Sequence, residues 1–204
     1  MTNSRRQEHT ADTRAALLGA ARRLFAEQGY AGTGTEEIVA RARVTRGALY
    51  HHFRDKADLF AAVMRTVAGE LAEHLIQQQL AGPGGRPAGP LDELRSGLQA
   101  YLDACLDGDF QRIVLVDGPA VLGPAAWNEL IDQHGLHLLR DWLRQAVADG
   151  QIAPLPVDVL ARLLAALIAE AGLYIAHESD PAAARDKAGV ALDHILRGLG
   201  HTPE

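Results

Sequence analysis

The chain has 204 residues and a formal net charge of −6, and 48% of its residues are hydrophobic and 23% charged. This length allows one or two domains, and the composition is that of a soluble globular protein and excludes a disordered chain. No uncharged apolar run approaches the ~18 residues of a membrane span, so no membrane contact is expected. The first fourteen residues contain no apolar stretch suited to a secretory signal, which predicts a cytoplasmic protein.

Charge is unevenly distributed along the chain. Residues 1–56 hold ten lysines and arginines against six acidic residues, a net charge of +4, whereas the remaining residues hold ten against twenty, a net charge of −10. A cationic front and an anionic rear predict two modules, of which only the front can attract phosphate. A chance distribution of charges on solvated helix faces is the alternative.

Apolar residues recur at helical spacing through most of the chain, which predicts an all-α fold. A first helix is expected from Thr13 to Gln28 and ends at Gly29. The residues before it form either a solvated, disordered tail or a basic arm that follows DNA. Thr33 and Glu36 have the spacing of a capping box that opens a second helix, Thr35 to Ala42.

The predicted helices continue to the end of the chain. Thr45 is positioned to cap a third short helix, and a fourth starts near Asp55 and extends to about Leu80. Residues 82–90 include seven glycines or prolines and predict a loop. Five further helices complete a set of nine. They are expected at residues 91–107, 109–117, 124–148, 157–178 and 181–199.

The second and third helices, joined by a tight turn in a small basic unit, are typical of a helix-turn-helix whose second helix enters the major groove. Leu49 and Phe53 lie four residues apart and anchor this helix, which leaves an open face around them. Arg46 can donate two hydrogen bonds to guanine, and Gly47 allows close approach to DNA. Side chains suited to phosphate contacts are Thr45, Tyr50, His51 and Lys56.

Residues 25–60 contain a longer pattern, which runs from F-x-x-x-G through a Thr-capped helix to x-G-x-L-Y-x-H-F-x-x-K-x-x-L-F. The matching residues are Phe25, Gly29, Thr33, Ile38, Gly47, Leu49, Tyr50, His52, Phe53, Lys56, Leu59 and Phe60. This pattern resembles that of the TetR-type regulators, although it covers about a sixth of the chain. The resemblance implies an all-α homodimer of about nine helices. Its N-terminal helix-turn-helix DNA-binding domain would span residues 1–54, and its C-terminal ligand-binding and dimerisation domain residues 55–204.

The resemblance also implies roles for individual residues. Arg46 and Gly47 would approach base edges. The implied phosphate contacts are Thr33, Thr45, Tyr50, His51, His52 and Lys56. Two positions depart from the pattern, because Arg43 stands where the turn residue is commonly glycine and Gly34 where threonine is frequent. A left-handed turn at Arg43 would carry a strain of ~1 kcal/mol, so either the turn keeps an ordinary backbone or Arg43 recovers this strain through a phosphate contact.

Some single residues allow other interpretations. Tyr50 could instead be a packed residue of a small core, and of the two adjacent histidines His51 is expected to be the more exposed. His134 and His137 lack a third ligand at a convincing spacing, so neither a metal nor a cofactor is expected. Cys105 lies in a helical apolar pattern and is expected to be a buried, inert thiol. No catalytic motif such as G-x-S-x-G or H-E-x-x-H is present, so no enzyme is predicted.

The last two predicted helices have apolar faces wider than a monomer needs. These faces contain Leu160, Leu163, Leu164, Leu167, Ala171 and Tyr174, followed by Ala184, Ala188, Ala191, Leu192, Ile195 and Leu199. We expect them to form a four-helix interface between two copies of the chain. Two-fold symmetry then places two recognition helices one DNA turn apart, ~34 to 36 Å, which predicts a pseudo-palindromic operator.

A cavity between helices four to eight is expected to hold a small hydrophobic or amphipathic effector. Its candidate apolar lining is Leu71, Leu75, Tyr101, Phe110, Ile113, Trp127, Ile131 and Leu167. Its candidate polar lining is His74, Gln78, Asn128, His134 and Glu170. The predicted function is ligand-responsive transcriptional repression, with helix four transmitting the signal. The alternatives are an all-α enzyme or small-molecule carrier without operator binding, and a constitutive DNA-binding protein with a filled core.

Overall fold

The computed structural model of the chain describes residues 2–81 and 89–200. Within these ranges, the side chains of residues 2–9, 75, 76, 78–81, 128, 131 and 134 lie outside the described part. The described residues form nine α-helices and two π-helical segments and contain no strand, so the all-α prediction is confirmed. The predicted loop at residues 82–88 lies outside the described ranges.

The helices follow one another with short connections. In chain order, the α-helices are α1 Thr2–Gly32, α2 Thr35–Ala42, α3 Arg46–His52, α4 Lys56–Ala81, α5 Pro90–Ala104, α6 Gly118–Ile131, α7 His137–Ala148, α8 Val157–His177 and α9 Pro181–Leu199. The π-helical segments are Phe110–Asp117, between α5 and α6, and Asp132–Leu136, between α6 and α7.

Helix α1 differs from its prediction at the N-terminal end. Its backbone is helical from Thr2, well before the predicted start at Thr13. The residues there include Arg, Gln, Glu and Ala, which favour a helix and let it extend outward. At the other end the prediction is confirmed, because Gly29 takes a non-helical conformation with φ 72° that an L side chain rarely adopts.

The predicted capping box at Thr33 was wrong. Thr33 is 1% exposed, and its hydroxyl donates to the carbonyl oxygens of Gly29 at 2.8 Å and Leu24 at 3.1 Å. The single hydroxyl proton is shared between these two carbonyls of α1, so Thr33 is bound to the preceding helix and does not cap α2. The N-cap of α2 is instead Gly34, which has no side chain to accept a hydrogen bond.

Two π-helical segments replace α-helix predicted in the rear of the chain. Residues 109–117 were expected to form an α-helix, and residues 124–148 a single uninterrupted one. Gly118 and Pro119 lie between the helices predicted at residues 109–117 and 124–148, yet α6 begins at Gly118 and takes Pro119 in its first turn, where a missing N–H is tolerated. The break occurs instead inside α6 at Gly123, whose φ is 74°.

The core extends across the predicted boundary between residues 54 and 55. Phe25, Tyr30 and Phe60 stack on one another, with ring centroids 5.1 to 5.9 Å apart. The same apolar cluster joins α1 to the segment Phe110–Asp117 through Leu24 and Ile113. A second cluster lies among α5, α7 and α8. Because α1 shares its core with the rear helices, a movement of those helices acts on α1 directly.

Among the described helices, α8 is long and apolar enough to span a membrane by length and composition alone. The buried side of α8 includes Leu164 and Ile168, which belong to the second core cluster. Its outward side includes Val159 and Leu163, which are 57% and 59% exposed. Helix α8 therefore presents an apolar surface on both sides.

Candidate nucleic-acid interface and ligand cavity

Helix α3 is fixed to the protein by its apolar side and capped as predicted. Leu49 is fully buried, and Phe53, which follows the helix, is 4% exposed. The Thr45 hydroxyl oxygen accepts a hydrogen bond from the backbone N–H of Ala48 at 3.2 Å. This N-cap satisfies one of the donors left open at a helix N-terminus. The helix thus presents its other face to solvent in a defined orientation.

The exposed face of α3 contains Arg46, Gly47, Tyr50 and His51. Tyr50 is 44% exposed, so it is not a core residue. The Arg46 guanidinium lies 5.6 Å from the centre of the Tyr50 ring and 3.4 Å from a carboxylate oxygen of Glu36 in α2. An ion pair between side chains this exposed is worth little and is easily exchanged for another acceptor. Arg46 is therefore available to a polyanion, and Glu36 is a partner that the sequence did not reveal.

Gly47 has no internal structural reason to be glycine. It lies inside α3, and a Cβ placed there would approach only the Thr45 hydroxyl, at an ordinary 3.8 Å. Glycine in a helix costs roughly 0.5 to 1 kcal/mol relative to alanine. The free protein therefore leaves room for a side chain at this position.

The backbone of Arg43 excludes one of the two alternatives that the sequence left for the turn, an ordinary backbone. It adopts the left-handed conformation, with φ 57° and ψ 39°, and its side chain is exposed. Its backbone N–H donates to the Ala40 carbonyl, and that of Val44 donates to the Val39 carbonyl at 3.0 Å. These bonds close the end of α2 and offset the strain of the turn.

The adjacent histidines differ in exposure as expected, with His51 exposed and His52 half-buried. Burial lowers the pKa of His52, and the nearby positive charges of His51 and Arg14 lower it further. The two imidazole rings meet edge to face at 5.3 Å. His52 is therefore neutral at pH 7.

Lys56 and Thr33 are directed into the protein. The Lys56 ammonium donates to the carbonyl oxygens of Tyr30 at 2.9 Å and Thr33 at 3.0 Å, and it lies 4.2 Å from the centre of the Tyr30 ring. Lys56 thus fastens the start of α4 to the connection between α1 and α2. The expected phosphate contact by the Thr33 hydroxyl was wrong, because that group is buried and already donates to α1 carbonyls.

A cavity of about 530 Å³ lies between α4 and α8, where it was expected. Its wall is mainly apolar and contains four aromatic residues, Tyr101, Phe110, Trp127 and Trp142. The charged residues at the wall are Asp132, Arg162 and Glu170. Small residues along α8 include Ala165, Ala166 and Ala169, which leave space beside this helix. A mainly apolar cavity with a few polar groups suits a small organic ligand.

Only some of the residues that were predicted to line the cavity do so. Those that line the cavity are Leu71, Tyr101, Phe110, Trp127 and Glu170. Ile113 is fully buried in the core, whereas Leu167 is 42% exposed on the outer side of α8, and neither lines the cavity. His74 is exposed on α4 and is not a lining residue either. The side chains of Leu75, Gln78, Asn128, Ile131 and His134 lie outside the described part.

Sequence reasoning missed Trp142 and Arg162 at the cavity wall. Trp142 occurs at helical spacing with Leu138 and Leu139, a pattern that indicates packing and does not distinguish a cavity wall from a filled core. Cys105 is fully buried near the cavity, and burial raises its pKa to about 12. A thiol with such a pKa is unreactive at neutral pH.

Two family models match successive parts of the chain. "Bacterial regulatory proteins, tetR family" matches residues 17–63, which include α2 and α3, and "Tetracyclin repressor-like, C-terminal domain" matches residues 91–199. The chain belongs to the TetR family of bacterial regulatory proteins. The resemblance stated from residues 25–60 is thereby confirmed, and this TetR-family chain has the DNA-binding and C-terminal parts of that family in the expected order.

Individual relatives agree with this assignment. A TetR-family transcriptional regulator of Pectobacterium atrosepticum, of known crystal structure, is 35% identical, with a TM-score of 0.80 over 97% of this chain and 98% of that chain. The HTH-type transcriptional regulator AcrR of Shigella flexneri is 35% identical over 53% of this chain and 49% of its own length. The transposon Tn10 TetC protein of Escherichia coli is 28% identical over 78% and 77%. The match to AcrR thus spans about half the length of that relative.

Proposed function

We propose that this TetR-family protein is a homodimeric transcriptional repressor. It binds a pseudo-palindromic operator through α3 of each subunit and leaves the operator when a small hydrophobic or amphipathic effector enters the cavity. The observation that carries this proposal is the outward face of α3, on which Arg46, Gly47 and Tyr50 are all exposed. No catalytic step is part of the proposal.

The proposed contacts divide by what they recognise. Arg46 reads guanine O6 and N7, and Gly47 lets the helix backbone approach the base edges. The side chains assigned to phosphate oxygens are Arg43, Thr45, Tyr50, His51 and His52. Phosphate contacts fix the register of the helix in the groove, whereas the base contacts supply sequence preference. Thr33 is omitted because its hydroxyl is buried, and Lys56 because its ammonium is held by two carbonyls.

The proposed dimer interface is the outward apolar surface of α8 and α9. Its most exposed members are Val190 at 73%, Leu163 at 59% and Val159 at 57%. The other exposed members are Leu167, Tyr174 and Ile195. An apolar surface of this extent is covered in a soluble protein, and a second copy covers it with the same residues through a two-fold axis.

Helix α4 is positioned to transmit the signal of effector binding. Near its start, Lys56 is bonded to the connection between α1 and α2. Further along, Ala68, Leu71 and Ala72 line the cavity. An effector that binds one tilt of α4 better than another shifts the separation of the two recognition helices.

The proposal is tested by selecting bound fragments from a pool of randomised duplex DNA and titrating them by fluorescence anisotropy. We expect affinity for the selected fragment to fall steeply from about 50 mM to about 200 mM salt, because phosphate contacts release counterions. Arg46→Ala is expected to relax base preference at one position of each half-site. Arg144→Ala, an exposed arginine of α7, is the matched control and is expected to leave affinity unchanged.

Three results would contradict the proposed ligand-responsive repressor. Absence of any selected fragment, together with small-molecule binding or turnover, would favour the alternative of a carrier or enzyme. Salt-independent binding would show that phosphate contacts do not hold the complex. A selected fragment that no compound from an apolar library releases would favour a constitutive DNA-binding protein.

A further inference from the structure

Two aspartates at the ends of the segment Phe110–Asp117 contact α1. A carboxylate oxygen of Asp109 accepts a hydrogen bond from Arg22 Nε at 3.0 Å. A carboxylate oxygen of Asp117 accepts one from the backbone N–H of Tyr30 at 2.7 Å. We call these four residues the latch. The latch joins α1 of the DNA-binding part to a segment that forms a wall of the cavity.

The Asp117 contact depends on the break in α1. Gly29 leaves the helical conformation, and Tyr30 directly after it donates its N–H to Asp117. The Arg112 guanidinium donates to the same carboxylate at 3.3 Å and occupies the place where a Cβ of residue 29 would lie. Any side chain at Gly29 would therefore displace Arg112 as well as strain the backbone. The break in α1 and the Asp117 contact form one arrangement.

Each aspartate of the latch is one residue away from an aromatic contact at the cavity. Asp109 precedes Phe110, which lines the cavity and packs edge to face on Tyr101 at 5.8 Å. Asp117 precedes Gly118, where a Cβ would lie only 2.8 Å from the ring of Trp127, itself a lining residue. Because both contacts are closely packed, a displacement of either ring also displaces the adjacent aspartate.

The segment between these two ends is a π-helix of eight residues. Such helices are rare, have poorer geometry than α-helices and are concentrated at functional sites. A change from i→i+5 to i→i+4 hydrogen bonds alters the length and rotation of the segment. Its two ends then move relative to each other, and both ends hold α1.

We propose that the segment Phe110–Asp117 forms a second connection between the cavity and the DNA-binding helices, acting through the latch in parallel with α4. This inference rests on the proposed function, because it requires that DNA and effector binding be coupled. Tyr30 is the point where the two connections meet. Asp117 holds its N–H, and Lys56 of α4 holds its carbonyl oxygen at 2.9 Å. Both routes therefore act on the same residue, through the two successive peptide groups that flank the Tyr30 Cα.

The test needs no effector, because the protein contains a reporter of its cavity. Trp127 and Trp142 are the only two tryptophans of the chain, and both line the cavity. Coupling between two sites is reciprocal, so DNA binding must change the cavity if an occupied cavity changes DNA binding. The measurement is acrylamide quenching of tryptophan emission, without DNA and with a saturating amount of the selected fragment. DNA binding is followed separately by anisotropy.

The test variant is the double substitution Asp109→Ala with Asp117→Ala, which releases both ends and keeps the Arg22–Glu70 ion pair to α4. The matched control is Asp103→Ala, which removes an equally close ion pair with Arg185 between α5 and α9. We expect wild type and control to show the same change of quenching constant on DNA binding. The double variant is expected to bind DNA and to lose most of that change.

Retention of the full change in the double variant would overturn the latch and leave α4 as the transmitter. Absence of any change in wild type at saturating DNA would overturn it as well. Should the alanine variant fail to fold by circular dichroism, the pair Asp109→Leu and Asp117→Leu, whose side chains have similar length and cannot accept a hydrogen bond, is judged by the same criteria. Absence of DNA binding by wild type is a separate result, which overturns the proposed function itself.

Discussion

At the scale of single residues, the face of α3 is shaped by demands other than stability. Gly47 occupies a helical position where a methyl group would fit, and Tyr50 leaves 44% of its surface in solvent. Arg46 is restrained by an exposed contact with Glu36 and by the half-exposed ring of Tyr50. These choices weaken the free protein slightly and are explained by a partner that covers the face.

Gly47→Ala tests this conflict between stability and binding. The substitution is expected to stabilise the protein by up to ~1 kcal/mol, because alanine favours the helix and meets no obstacle. It is expected to weaken operator binding by tenfold or more, about 1.4 kcal/mol, because the methyl group keeps α3 away from the groove. Urea unfolding and anisotropy measure the two effects. Gly69→Ala on α4, where a Cβ also meets nothing, is the control, and equal loss of binding in both variants would contradict the account.

The lowered pKa of His52 predicts how stability depends on pH. The folded state binds fewer protons than the unfolded state below the ordinary pKa of 6.5. The contribution of neutral His52 to the free energy of unfolding is therefore fully present above that value. It is lost as pH falls through the pKa that His52 has in the folded state. Urea unfolding from about pH 7.5 to about pH 5.5 should show a decline that His52→Gln reduces. An identical decline in the variant would assign the effect to other groups.

Residues near one another in the sequence were predictable, and those that depend on a distant partner were not. Thr45 capping α3 and Leu49 buried beneath it follow from local spacing. Thr33 was misassigned because its hydroxyl donates to carbonyls of the preceding helix rather than to α2. Lys56 was assigned to phosphate because nothing in its neighbourhood indicates that α1 supplies two carbonyls.

At the scale of elements, apolar periodicity predicted where the helices lie but did not distinguish α-helices from π-helices. The segment Phe110–Asp117 buries Phe110, Ile113 and Val114, a spacing that an α-helix also produces. Which turn is a π-helix depends on tertiary contacts at its ends, and these come from α1. The cavity wall could not be predicted reliably for a similar reason, because residues that line a cavity and residues that fill a core show the same apolar pattern in the sequence.

Gly118→Ala tests the close packing at the junction of this segment with α6. The new Cβ would lie 2.8 Å from the Trp127 ring, 3.1 Å from Met64 Sδ and 3.2 Å from the Ile113 carbonyl oxygen. Overpacking of this kind is expected to destabilise the protein by ~1 to 3 kcal/mol. Urea unfolding measures the change, with Gly69→Ala again as control. An unchanged free energy of unfolding would show that the junction accommodates a methyl group. This result would weaken the argument that the junction transmits movement.

At the scale of the whole molecule, the proposed function requires two copies of the chain. A single α3 is a short helix that contacts few base pairs, whereas two such helices held ~34 to 36 Å apart bind successive turns of one groove. The exposed apolar residues of α8 and α9 supply a surface for that pairing. The apolar width of these helices was readable from the sequence, although which side faces outward required the fold.

Leu163→Glu tests the pairing. A carboxylate at a residue that is 59% exposed is tolerated in the monomer and unfavourable inside an apolar interface. Sedimentation velocity is expected to show a monomer, and operator affinity to fall by ~100-fold or more because the two half-sites are no longer bound together. Leu106→Glu, at a leucine 42% exposed outside α8 and α9, is the control. A variant that remains dimeric would place the interface elsewhere.

The selected DNA tests the central claim, that α3 is presented twice per assembly to one duplex, most directly. Hydroxyl-radical footprinting of the selected fragment is expected to show two protected half-sites in inverted orientation, with centres about 10 base pairs or a multiple of a turn apart. Arg46→Ala should alter the same position in both half-sites. A single protected patch without inverted symmetry, or protection unaffected by any substitution on α3, would contradict the account.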